Sequence, residues 1–193
     1  MSMRWHSAWS ALLALPLVMG AARGAIAAPD GFFSPYMAQI QEGLPAGFVM
    51  RLPAEVLLGG PASFAPEEMT VRILSSQAPP DLTVGLFTCT SGPMPCLVGS
   101  FSADRQGDPD AEAAYRRHVA AAAPLTLSGN IKGYLLEGGG DQPSPFSSLM
   151  WKQDSMIYTA SFLASERQNL LRMAVSMANS PPIRPRARSA AAQ

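Results

Sequence analysis

Cys89 and Cys96, the only two cysteines of the 193-residue chain, flank Thr-Ser-Gly-Pro-Met-Pro between two strand-like runs, Leu82 to Cys89 and Cys96 to Ser102. In an exported protein that spacing favours a disulfide across the end of a hairpin. Closing so short a loop stabilises by about 2.5 kcal/mol through the entropy removed from the unfolded chain. The functional alternative is a redox-active pair, which would want C-x-x-C spacing and a helix N-terminus to lower a thiol pKa. Neither is present, so the structural bridge is the expectation.

His118 is the only histidine outside the first 27 residues, so any histidine-dependent mechanism must run through it. It lies among alanines, Tyr115 and Val119, and reads as a helix-packing or surface residue. A Ser or Cys nucleophile needs a base held by a third group, and the chain has no G-x-S-x-G or S-x-x-K segment. One histidine and two paired cysteines do not make an ordinary zinc set. Asp104, Asp108, Asp110 and Glu112 could offer oxygens to calcium, but Pro109 interrupts them and the spacing is not that of an EF-hand. Helix capping and the helix dipole account for the last three. Gly138-Gly139-Gly140 lies between two strands, whereas a phosphate loop opens a helix, so it reads as a flexible connection. No catalytic residue, metal site or cofactor is expected.

Residues 1–27 read as a cleaved signal peptide: Arg4 supplies the positive start, Ala11 to Ala22 a short apolar core, and Ala25-Ile26-Ala27 the small-x-small cleavage pattern. The apolar run is shorter than the roughly 20 residues needed to span a bilayer, so no transmembrane anchor is expected. No cysteine near the cut offers a lipid attachment point. A periplasmic or extracellular location follows. The full chain balances 14 Lys plus Arg against 14 Asp plus Glu, and losing Arg4 and Arg23 leaves the mature part slightly acidic. That argues against nucleic acid as a partner.

The elements that would position these residues form one domain, 28–180. Ser34-Pro35 opens a short helix to Glu42, with Ser34 as N-cap. Strand-like runs follow at Phe48 to Leu52, Thr70 to Ser75, Leu82 to Cys89 and Leu97 to Ser102, suggesting a four-strand meander. Residues 54–65 fit either a helical turn or a strand extension. Asp108-Pro109 starts a helix to about Ala122, stopped by Pro124. Strands at Ile131 to Glu137, Phe146 to Lys152 and Met156 to Phe162 come next, with a shorter one at Leu125 to Leu127 before them and a tight turn at Gln153-Asp154-Ser155. Ser165 to Gln168 has the pattern of a capping box ahead of a closing helix, Glu166 to Ala178, whose apolar stripe is Leu170, Leu171, Ala174, Met177 and Ala178. Residues 181–193, with Arg184, Arg186 and Arg188, read as a disordered basic tail. The fold class is therefore α+β: a mainly antiparallel sheet of about six to eight strands with about three packed helices.

Strand aromatics such as Trp151 and Tyr158 are ordinarily core. However, Leu135-Leu136 and Leu149-Met150-Trp151 place apolar side chains on both sheet faces. Three modest helices would leave part of that surface over, and Leu135, Trp151, Tyr158 and Leu171 are the candidate binding face.

Trp151, Tyr158, Ser161, Leu163, Glu166, Leu170-Leu171, Ala174 and Ser176 resemble the strand-strand-helix ending of uncharacterised exported bacterial proteins. In particular they resemble the domain of unknown function at the C-terminus of some anti-sigma factors and envelope lipoproteins. The resemblance covers about Gly133 to Asn179. It implies an extracytoplasmic sensing or interaction module, although this chain lacks the anchors of those members. Three functions follow as expectations. The first is a non-enzymatic periplasmic module that binds an envelope protein through a sheet face or an edge strand. The second is a carrier or sensor of an apolar ligand such as a lipid, held between the sheet and the closing helix. The third, a hydrolase, has no assembled residue set.

Overall fold

The computed structural model describes residues 31–59, 65–90, 96–142 and 144–186. The signal-peptide reading and the last part of the basic tail, 187–193, lie outside the described residues.

Among the described residues, seven strands form one antiparallel sheet: β1 (Thr70–Gln77), β2 (Pro80–Phe87), β3 (Leu97–Arg105), β4 (Ala123–Ser128), β5 (Ile131–Leu136), β6 (Phe146–Gln153) and β7 (Met156–Leu163). The spatial order is β1-β2-β3-β7-β6-β5-β4. Three helices complete the α+β architecture: α1 (Met37–Gly43), α2 (Pro109–Ala121) and α3 (Arg167–Asn179). The first three strands make a meander. Helix α2 then carries the chain from β3 to the far edge, where β4 runs parallel to β3, and β4 to β7 return by hairpins until β7 closes against β3.

Strand periodicity sorts the side chains onto two faces. Val84, Phe101, Ala160 and Leu149 neighbour one another across four strands, as do Leu82, Ala103, Tyr158 and Trp151. All of them are fully buried. This face packs against α3, through Leu170, Met173, Ala174 and Met177, and against the N-terminal segment from Phe33 to Val56. Helix α2 lies on the other face. There the Tyr115 ring meets Tyr134 edge-on at 6.0 Å, and Lys152 pairs with Glu112 at 2.8 Å.

Several expectations are corrected. Phe48 to Leu52 is not a strand of the sheet. Phe48, Val49, Met50 and Leu52 are all buried because the segment lies across the core face. Its backbone pairs instead with the C-terminal segment, Met50 N–H to Ile183 O at 2.9 Å and Ile183 N–H to Met50 O at 2.7 Å. Residues 181–186 are therefore not a disordered tail. Ile183 is buried, and the Arg186 amide donates to Gln41 O at 3.3 Å. The first helix begins as a 3-10 turn, Ser34–Tyr36, with no side-chain cap. The Ser165 capping box is likewise replaced by a 3-10 turn, Ala164–Glu166, that leads into α3 without a side-chain cap. The α2 reading holds: Asp108 accepts from the amides of Asp110 and Ala111, both at 3.0 Å. The β6–β7 turn is made by Asp154 and Ser155, both in the left-handed region, as a two-residue hairpin of matched twist requires.

Candidate functional site

Leu135, Trp151, Tyr158 and Leu171 come together on the core face, so they do not form an open binding face. Trp151 and Tyr158 are stacked at 5.4 Å and fully buried, Leu135 is buried, and Leu171 is half-buried against the same core. The Tyr158 hydroxyl donates to Val49 O at 2.8 Å, and burial raises its pKa. The Phe48 to Leu52 segment thus meets Tyr158 and shares its buried cluster. The space between sheet and α3, where an apolar ligand was expected, is filled by Leu170, Met173 and Met177, each fully buried.

His118 faces the sheet from α2, with Nε2 2.8 Å from Tyr134 O, so that nitrogen carries the proton and donates. Burial lowers its pKa. The acidic residues assemble in a way the sequence reading missed. Asp104 stands directly across from Asp81 in the β2–β3 ladder, and Asp108 and Asp110 line the same groove, of about 240 Å³. Burial first, then the charges of Asp81 and Asp108, push the Asp104 carboxyl up to about 6. Among the described residues, no three His, Cys, Asp or Glu side chains converge as a metal ion would require. The triglycine connection is not an open loop. Its Gly138 amide donates to Ser147 Oγ at 3.1 Å and Gly139 to Ser144 O at 2.7 Å.

Cys89 and Cys96 are joined as a disulfide, with Cα atoms 5.9 Å apart, beyond the paired ends of β2 and β3. The Thr88 amide donates to Cys96 O at 2.9 Å and continues the hairpin up to the bridge. Among the described residues, no helix is long and apolar enough to cross a membrane.

Among the described residues, the surface that stands open is the β1 part of the sheet face on which α2 lies. Helix α2 reaches β5, β6 and β7, and the corresponding face of β1 to β3 carries Arg72, Leu74, Thr83, Ser100 and Ser102. Leu74 is 53% exposed, the most exposed large apolar side chain described. Among the described residues, the outer edge of β1 pairs with no other strand. Its eight residues keep an unbroken register with β2, from Thr70 opposite Phe87 to Gln77 opposite Pro80. The opposite edge, β4, is shorter, carries Pro124 and shifts register between Thr126 and Ser128. Those are among the devices by which sheets discourage edge pairing; β1 has neither proline nor register shift, and Arg72 is its one charged residue. The sequence showed a strand here, but strand order, and so which strand is an edge, depends on partners far along the chain.

Comparison with protein-family models, curated proteins and solved structures finds no match to this chain.

Proposed function

We propose that this protein is a non-enzymatic interaction module of the cell envelope, exported through a cleaved leader, that takes an extended segment of a partner protein onto its β1 edge. The observation that carries this reading is the eight-residue β1 strand, unbroken in register and free of proline, with Leu74 exposed on it. Strand addition draws affinity from main-chain hydrogen bonds and specificity from alternate side chains. The disulfide suits an oxidising compartment, and the leader and the resemblance to extracytoplasmic modules point the same way.

The test is a photo-crosslinking residue at Ser75 in the exporting cell, with the same residue at exposed Val175 on α3 as control. A discrete adduct from position 75 that L74K abolishes, with none from position 175, supports strand addition at β1. Equal labelling at both sites, or an adduct indifferent to L74K, overturns it.

A further inference from the structure

The β2–β3 hairpin end carries an arrangement that a plain staple does not need. Gly85 is directly opposite Arg72 in the β1–β2 ladder. A Cβ on Gly85 would sit 2.6 Å from Phe87 Cε2, so only glycine lets the Phe87 ring fold back over the strand. The Arg72 guanidinium lies over that ring, 4.3 Å from its centroid, an attraction between the cation and the negative ring face. Held there, Nη2 donates to Cys89 O at 3.2 Å and stands 4.0 Å from Cys89 Sγ. Among the described residues, no carboxylate is within ion-pair distance of Arg72. The guanidinium is thus held between the Phe87 ring and the Cys89 carbonyl, with the Cys89 sulfur 4.0 Å away.

A cation beside a sulfur lowers its thiol pKa, and a disulfide opens faster when the departing thiolate is the more stable one. We propose that Cys89–Cys96 is a thiol-exchange site, opened by an exported dithiol oxidoreductase, with Cys89 as the leaving sulfur and Arg72 stabilising its thiolate. The oxidoreductase thiolate attacks Cys96 Sγ. A mixed disulfide forms there as the Cys89–Cys96 bond breaks, and its electron pair leaves on Cys89. The second thiol of the oxidoreductase then attacks its own mixed-disulfide sulfur and releases Cys96. Two electrons and two protons pass from the dithiol, which becomes a disulfide, to this protein, which becomes the dithiol. Thr88 bonds to Cys96 O through both its amide, at 2.9 Å, and its hydroxyl, at 3.3 Å, so the hairpin end keeps a backbone clasp when the sulfurs part.

The experiment measures the Cys89 thiol pKa in C96S from the pH dependence of iodoacetamide alkylation, together with single-turnover reduction of the intact disulfide by dithiothreitol at pH 7. The expected pKa lies below the free-thiol value of about 8.5. R72Q should raise that pKa and slow reduction several-fold, while R72K, which keeps the charge, should restore both. Circular dichroism of each variant confirms the fold, and R72K provides the charge comparison on a chain of nearly the same shape. A Cys89 thiol titrating at or above the free value, or a low pKa that R72Q leaves unmoved, reduces the bridge to a staple and overturns the proposal.

Discussion

Tyr158 shows how much one buried side chain can tie together. Its hydroxyl satisfies the Val49 carbonyl, its ring stacks on Trp151, and both rings are fully buried. Tyr158→Phe should lower stability by about 1–2 kcal/mol, because the buried carbonyl loses its donor. Urea denaturation checks this, and an unchanged midpoint would show the bond to be dispensable. Asp104 and His118 make opposite pH predictions. With its pKa raised to about 6, Asp104 holds a proton more tightly in the folded than in the unfolded chain. Its contribution is complete below about 4 and is lost as pH rises through 6. Weakened by the solvent that reaches this carboxylate, the effect is on the order of 1 kcal/mol. Burial lowers the His118 pKa, so its contribution is present above about 6.5 and is lost as pH falls below that value. Asp104→Asn should therefore be more stable than the parent at pH 7 and should lose stability more steeply between pH 7 and 5. Stability curves at several pH values test this, and parallel profiles for the two proteins would refute it. The helix-packing role of His118 was legible from its alanine-rich surroundings. The Asp81–Asp104 pair was not, because cross-strand register is invisible in a single run of sequence.

At the scale of elements, local signals succeeded where the stabilising contact is itself local. Asp108 caps α2 as its sequence predicts, and Asp108→Ala should cost about 1 kcal/mol. Ser165→Ala, at the box that the 3-10 turn replaced, should be nearly neutral. Urea midpoints of the two variants separate these cases, and equal losses would contradict the capping geometry. Removing both cysteines as Cys89→Ser with Cys96→Ser should cost about 2.5 kcal/mol by loop-closure entropy. The paired strands should survive, since the β2–β3 ladder reaches Phe87 and Leu97 without the bridge. A melting temperature equal to that of the oxidised parent would defeat the stapling role. The strand at Phe48 to Leu52 failed as a local reading because β-like composition reports burial and extension, not membership of a sheet.

At the scale of the whole molecule, the core closes only when the two ends of the described chain meet. Met50 and Ile183 exchange backbone hydrogen bonds, and the buried Arg51 holds Asp154 at 2.6 Å and also the Ser180 carbonyl. A chain cut after Ser180, or Ile183→Ala in the full chain, should lose about 2–4 kcal/mol. Denaturation of a truncated protein matching the intact one would show the segment to be a passenger. Sequence by itself determined the α+β class, the cysteine pair, two of the three helices to within a residue or two and six of the seven sheet strands in near-final bounds, because hydrophobic period and caps act over a few residues. Only the tertiary structure decided that β7 enters between β3 and β6, that Trp151 and Tyr158 are fully buried, that β1 is an edge of the described sheet, and that Arg72 reaches Cys89. Each of those depends on side chains and strands brought together from distant parts of the chain, where the energy of packing outweighs any local preference.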